Sequence, residues 1–295
     1  MIRVEAPAKL NLYLHVTGRR ADGYHELDSL VTFTALADTL EIAPAEVPAL
    51  TVSGPFADAL DGGDNLAVRA AAALAERLGR PAHVRISLHK RVPVAAGLGG
   101  GSADAAAVLR GLARLWRLGA EHADDLREVA LGLGADVPVC LDSRAAYMGG
   151  IGEALSAPPP LPPCGVLLVN PGVPVPTGAV FAARRGPFSA ADRFCETPAG
   201  APALATLLRA RRNDLEPPAR AQVPAIDRVL ARLAAAPGCL LARMSGSGGT
   251  CFGLFADEAA AADAAGAISR ERPRWWVHPT RLVHECETVF PDAPA

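Results

Sequence analysis

Between residues 84 and 115 a strand pattern, a cluster of glycines and a helix pattern follow one another without a break, and few folds can use that succession. Val84, Ile86 and Leu88 alternate with Arg85, Ser87 and His89, the period-two signature of a half-buried strand, while Val108, Leu109, Leu112 and Leu115 keep helical spacing. Between them lies Pro93-Val-Ala-Ala-Gly97-Leu98-Gly99-Gly100-Gly101-Ser102-Ala103-Asp104. Glycines carry no Cβ, so successive backbone N–H groups are free to converge on one point. That point falls at a helix start, where the first amides lack intrahelical partners and the macrodipole is positive. The arrangement suits a phosphate. It equally suits a plain tight connection from strand to a helix opened by Ser102. No lysine follows the glycines, as a Walker loop requires, and Ser102 stands where a dinucleotide fingerprint has its third glycine. A phosphate here would need positive charge from elsewhere in the chain.

Lysine is scarce enough to narrow the search for that charge. Of 29 basic residues only Lys9 and Lys90 are lysine, and the other 27 are arginine. Residues Pro7 to Val16 alternate so that Leu10, Leu12 and Leu14 share one strand face and Lys9, Asn11 and Tyr13 the other. Lys9 and Asn11 then point the same way, about 7 Å apart along the strand. That second face is either a solvated outer surface or one wall of a site.

A second isolated charge is Asp136, in Gly134-Ala-Asp136-Val-Pro138-Val-Cys140-Leu. It can cap a short helix with Pro138 in its first turn. A carboxylate buried among apolar residues would instead need a partner, and a neighbouring cation would keep it ionised and useful as a base.

The rest of the chain supplies scaffolding and further candidates. Asp22-Gly23 signals a turn carrying Tyr24 and His25, after which Leu27 to Leu36 reads as a strand. Asp64 or Asn65 caps an alanine-rich helix from Ala67 to Leu78, and Asp124 to Leu133 forms another, closed by Gly134. The polyproline run Pro158 to Pro163 reads as a linker and divides the chain into domains at 1–160 and 161–295. Beyond it come a strand from Gly165 to Val169, a helix capped by Thr177 and containing Phe181, a mobile loop over Ala190 to Pro202, and helices from Ala203 to Arg212 and Pro224 to Ala236. Met244-Ser245-Gly246-Ser247-Gly248-Gly-Thr250 is either a hairpin turn or a second anion-facing loop, leading into a strand at Cys251 to Phe255. A helix over Asp257 to Ile268 and a strand over Trp275 to Val283 close the pattern. Strands and helices without regular alternation argue for α+β rather than a doubly wound sheet.

Composition removes whole classes of function. With 295 residues, half of them hydrophobic, the chain can bury a large core. A formal charge of −2 gives no basic excess for nucleic acid, and the Arg209-Ala-Arg-Arg212 cluster reads as a solvated helix face. No apolar run approaches the ~20 residues of a bilayer span and the N-terminus lacks signal-peptide character, so the expected location is the cytoplasm, with no membrane partner. Cys140, Cys164, Cys195, Cys239, Cys251 and Cys286 lie too far apart for a zinc site or disulfide scaffold, and are expected to be reduced, mostly buried thiols.

Taken together, Pro7-Ala-Lys9-Leu-Asn11, Pro93 to Ala105 and Ser245-Gly-Ser-Gly248 resemble the three signature motifs of the GHMP kinases. Ala6-Pro-Ala-Lys9-Leu-Asn-Leu, Arg20-Ala-Asp-Gly-Tyr24-His25, Gly134-Ala-Asp136-Val-Pro-Val and Asn213-Asp-Leu-Glu216 are similar to the branch that phosphorylates the 2-hydroxyl of a cytidine-diphosphate-linked methylerythritol on the route to isoprenoids. The resemblance implies a two-domain α+β fold, with an N-terminal ribosomal-protein-S5-domain-2-like ATP-binding domain and a C-terminal ferredoxin-like domain. It implies ATP as its magnesium complex for the phosphoryl donor, the metal's ligands remaining open, and a monomer or weak homodimer. By position, Lys9, Asn11 and Asp136 would surround the reacting hydroxyl. Asn65, Leu66, Pro93, Gly97, Leu98, Gly99, Gly100, Gly101, Ser102 and Ala103 would hold ATP. Tyr24, His25, Pro176, Thr177 and Phe181 would hold the cytidine, and Ser245, Gly246, Ser247 and Gly248 would close over the reacting groups. Homoserine and phosphomevalonate kinases carry the same three motifs, but their substrates have no pyrimidine for Tyr24 and His25.

Overall fold

A computed structural model describes residues 1–60 and 65–283. The fold is built on two long antiparallel strands, β1 (Ile2–Arg19) and β2 (His25–Pro44). At 20 residues β2 is long enough for its second edge to pair with three partners in turn: β5 (Ala146–Gly149), β10 (Trp276–Val283) and β4 (Val84–His89). The sheet runs β3-β4-β2-β10-β7-β9-β8, with β3 at Ala49–Ser53, β7 at Gly165–Asn170, β8 at Leu241–Met244 and β9 at Cys251–Phe255, while β6 (Ala154–Ser156) pairs with β5. Sheet pairing is therefore continuous past the polyproline run, through Leu282 opposite Thr34 and Val283 opposite Phe33. Leu161, within that run, is itself buried, in a cluster that takes Leu10 and Leu12 from β1 and Leu168 from β7.

The helices cover this sheet with small residues. Helix α1 (Leu66–Arg77) buries Ala67, Ala70, Ala71 and Leu74, and α2 (Gly100–Leu115) is apolar on nearly every side. Alanine and glycine let α2 lie close to the sheet, so close that a Cβ on Gly111 would fall 2.5 Å from Ile42 Cδ1. Helices α3 (Ala123–Leu133) and α4 (Val137–Asp142) complete that layer, and α5 (Thr177–Ala183), α6 (Ala201–Arg209), α7 (Glu216–Gln222), α8 (Ala225–Ala234) and α9 (Glu258–Glu271) pack around the C-terminal strands.

Several expectations need correction. Ser102 does not open α2: Gly99, in the left-handed region at φ 62°, is its N-cap, and Ser102 lies inside the first turn. Thr177 does not cap α5, because Pro176 holds that position and the Thr177 hydroxyl bonds Ser247 instead. Residues 190–202 are pinned rather than mobile. Asp28, itself buried, accepts from Tyr13 Oη, Asp192 N and Arg193 Nε, and Phe194 is buried with its carbonyl bonded to Tyr147. Arg211 is likewise not on a solvated face, since it is buried and its guanidinium holds Asp192. Helix α7 lies where no helix was expected. Cys140, Cys164 and Cys251 are buried thiols, Cys239 is half-buried and Cys195 exposed; Cys286 and the alternative cap Asp64 fall outside the described residues.

Candidate functional site

A cleft of about 910 Å³ opens where β1, the start of α2, the start of α4, the β1–β2 turn and the β8–β9 turn converge. Its floor is the segment Lys9 to Asn11. Register shifts between Pro7 and Lys9 and between Asn11 and Tyr13 bracket that segment, and such bulges re-aim side chains. No solvated strand face exists here, because Lys9 is only 4 % and Asn11 3 % exposed.

Lys9 is held from two sides. Its backbone N–H donates to Leu98 O at 2.9 Å, and its side chain runs beneath Gly99, where any Cβ would come within 3.1 Å of Lys9 Cβ. Its Nζ ends 2.8 Å from Asp136 Oδ2. Asp136 sits at the N-cap of α4, yet its carboxylate makes no capping bond. With its side chain 40 % exposed, it is not buried among apolar residues but faces the cleft, so the acid Lys9 balances remains open to a ligand.

Asn11 presents an acceptor with no partner among the described residues. Ser29 Oγ spends its one proton on Tyr13 O, at 2.5 Å, so it must accept from Asn11 Nδ2 at 2.9 Å. That fixes the amide with Oδ1 turned away from Ser29, buried and unbonded on the cleft wall. Ser29 is a member of the site that sequence reasoning missed.

The two glycine loops interlock. A Cβ on Gly97 would lie 2.5 Å from Gly248 O and 2.6 Å from Ser245 O, and Gly97 is at φ 74°. Ser245, fully buried, accepts from Asn11 N at 3.2 Å and donates to Gly97 O at 3.0 Å. Asn213 holds the second loop from behind through Met244 O and Gly246 O, both at 2.8 Å. The turn at 245–250 thus joins the hairpin β8–β9 and also supplies Gly246 and Ser247 to the cleft.

At the far end, Tyr24 stands 60 % exposed on the β1–β2 turn. The His25 ring stacks on Phe181 with centroids 5.2 Å apart, so these two rings do not leave a slot for a base between them. Burial, then Arg19 and Arg184, lower the His25 pKa, which keeps its imidazole neutral near pH 7.

Of the expected residues, Lys9, Asn11, Asp136, Leu66, Gly97, Gly99, Gly100, Gly101, Ser102, Tyr24, His25, Thr177, Phe181, Gly246 and Ser247 line this one cleft. Pro93, Leu98 and Ala103 are buried behind it. Asn65 spends its side chain capping α1 through Ala67 N at 2.9 Å, Pro176 is exposed beside the cleft, and Ser245 and Gly248 act from the second layer as loop-to-loop contacts. Lys90 was the other lysine in the chain, but nothing local to it foretold its place. It is buried under Gly100 between Asp38 and Asp104. Among the described residues no group of three or more His, Cys, Asp or Glu side chains gathers to hold a metal ion.

A strand-loop-helix whose glycines line a cleft, beside a buried lysine and an accessible carboxylate, supplies what a phosphoryl-transferring class of protein needs. The description of the GHMP kinases N terminal domain matches residues 65–150, and that of the GHMP kinases C terminal matches residues 200–273. The chain is a small-molecule kinase of that class. It is 55 % identical over 280 residues to 4-diphosphocytidyl-2-C-methyl-D-erythritol kinase of Paramagnetospirillum magneticum, covering 95 % of this chain and 98 % of the relative. The same enzyme of Rhodospirillum rubrum is 54 % identical, with 96 % and 93 % covered. A crystal structure of 4-(cytidine 5'-diphospho)-2C-methyl-D-erythritol kinase superposes with a TM-score of 0.75 at 40 % identity, covering 96 % of this chain and all of the other. The chain belongs to the 4-diphosphocytidyl-2-C-methyl-D-erythritol kinase family.

Proposed function

We propose that the protein transfers the γ-phosphoryl group of ATP to the 2-hydroxyl of 4-diphosphocytidyl-2-C-methyl-D-erythritol, giving the 2-phosphate and ADP, in non-mevalonate isoprenoid precursor synthesis. The observation that carries this reading is the Lys9–Asp136 pair, 2.8 Å apart on the wall of the same cleft as the first turn of α2. The amides of Gly100, Gly101 and Ser102 would bind the ATP phosphates, with Leu66 beside the nucleotide. Lys9 would supply the compact charge that the glycine loop lacks, and Asp136 would take the hydroxyl proton. Asn11 Oδ1, the unbonded acceptor, would orient that hydroxyl by accepting from it.

ATP would enter as its magnesium complex. Magnesium keeps several waters and is held largely through the nucleotide phosphates, so Ser102 would complete its shell without an all-protein cage and Asp136 would stay free to take the hydroxyl proton. The cytidine would lie against Tyr24 and the edge of the His25–Phe181 stack, with Thr177 and Ser247 between it and the reacting end. The division at residue 160 would then separate an ATP-holding part from a part serving mainly the other substrate. Among the described residues no helix is long and apolar enough to cross a membrane, which fits a cytoplasmic enzyme acting on soluble substrates.

The deciding experiment measures ADP release by the purified protein with the cytidylyl substrate, homoserine and phosphomevalonate in parallel. Turnover is expected with the first alone. Preference for either of the others would overturn the reading.

A further inference from the structure

The run Asn213-Asp-Leu-Glu216 has no part in the transfer chemistry described above, yet it grips the second glycine loop. Asn213, only 4 % exposed, is tied to β1, for Leu14 N donates to Arg212 O at 3.0 Å and Asp214 N to Leu14 O at 2.8 Å. Its Oδ1 accepts from Leu215 N at 2.9 Å. That leaves Nδ2 to donate both its protons, one to Met244 O and one to Gly246 O, each at 2.8 Å. Glu216 Oε2 adds a bond from Met244 N at 3.2 Å.

These bonds fix the direction of one peptide unit. No peptide bond among the described residues is cis, so in the unit joining residues 246 and 247 the N–H points opposite to the C=O. With Gly246 O drawn back to Asn213, Ser247 N–H points forward, to the side on which Gly246 and Ser247 line the cleft. Gly248 N donates to Ser245 O and Thr250 N to Ala96 O, but Ser247 N has no acceptor among the described residues. Ser247 is only 8 % exposed, and a backbone donor shut away from water without a partner is costly. A Cβ on Gly246 would stand 3.4 Å from Asn11 Oδ1, so the donor lies beside the buried acceptor that also lacks a partner.

We propose that the backbone N–H of Ser247 donates to a phosphoryl oxygen, and that Asn213 is the positioning residue that aims it. The inference rests on the reading that phosphoryl transfer takes place in this cleft. The amide offers one proton in the cleft that also holds the first turn of α2 and the Lys9 ammonium, surroundings that favour an anionic oxygen. Such an oxygen has two sources. One is the group in transfer, on which charge develops, so the bond would act on kcat. The other is the diphosphate of the cytidylyl substrate, where the bond forms on binding and would act on KM.

The test follows the Ser247 amide by NMR in the full chain labelled with heavy-nitrogen serine, the resonance being the one missing from Ser247→Ala. A downfield shift with cytidine diphosphate alone assigns the contact to the substrate's diphosphate. A shift only with the cytidylyl substrate, magnesium, ADP and aluminium fluoride, a mimic of the group in transfer, assigns it to that group. No shift with either overturns the proposal. In Asn213→Ala the shift should shrink, and kcat should fall or KM for the cytidylyl substrate rise by roughly 10- to 100-fold, less than the ~10²–10³ lost when such a donor is removed outright. A wild-type shift with wild-type constants in Asn213→Ala would make Asn213 a purely structural contact and overturn its role. Should Asn213→Ala fail to fold, Asn213→Ser, which keeps a single donor, goes through the same measurements. Turnover of the cytidylyl substrate by the wild type with an unshifted Ser247 amide overturns this inference and spares the functional reading, whereas no turnover overturns both.

Discussion

Gly97→Ala sets the structural role of the glycine loop against its role toward a ligand. The new methyl would lie 2.5 Å from Gly248 O, where real Cβ atoms stay at least 3.0 Å away, so the two loops must part by 3.0 − 2.5, about 0.5 Å. Forcing alanine to φ 74° costs about 1–2 kcal/mol. Separation also strains two bonds of 3.0 Å, Ser245 Oγ to Gly97 O and Thr250 N to Ala96 O, each worth about 0.5–1.5 kcal/mol. The total is about 2–5 kcal/mol, which in a chain of this size lowers Tm by roughly 3–8 °C. Gly101→Ala is the internal control. Its methyl would meet only Leu66 Cδ1, at 3.5 Å, in a helical turn where alanine is favoured over glycine. Gly101→Ala should melt at or above the wild type while raising KM for ATP, since residue 101 lines the cleft. Scanning fluorimetry and steady-state kinetics on the pair supply both readouts. A wild-type Tm for Gly97→Ala, or equal losses in both variants, would refute this account of how the loops fit.

Three further outcomes follow from the same geometry. Asp136→Asn keeps the shape but cannot accept the hydroxyl proton, so kcat should fall by roughly 10²–10⁴ with KM for ATP little changed; turnover near the wild-type rate would reduce Asp136 to an orienting contact for Lys9. Tyr24→Ala removes the exposed ring and should raise KM for the cytidylyl substrate roughly 5- to 150-fold, from a stacking loss of about 1–3 kcal/mol, while kcat and KM for ATP hold; a rise in KM for ATP instead would displace the base to another wall. Because the folded-state pKa of His25 is lowered, the unfolded chain binds more protons, so its contribution to stability is full above pH 6.5 and is lost as pH falls through the folded value. Urea midpoints should therefore decline more steeply below pH 6.5 in the wild type than in His25→Gln, and parallel declines would refute the assignment.

The sequence by itself determined the parts whose cause is local. Glycines that need φ above zero, the Asn65 cap of α1, the alternation of Val84 to Leu88 and the Pro138 turn after Asp136 act within a few residues, so they read directly from the chain. The motif resemblance then brought Lys9 and Asp136, 127 positions apart by 136 − 9, into one expected site, and they meet at 2.8 Å. Tertiary structure alone decided which groups are buried and what they pair with. Alternation along β1 could not reveal that both its faces are covered, nor that bulges on either side of Lys9 to Asn11 set its side chains toward the cleft. An arginine-rich stretch looks solvated until Arg211 finds Asp192, and a proline- and glycine-bounded loop looks mobile until Asp28 ties it down. Lys90 and Asp104 stand 14 residues apart and Asp38 a further 52 before Lys90, and no local pattern marks them as partners. Burial and charge pairing are properties of which distant segments pack together, and only folding sets them.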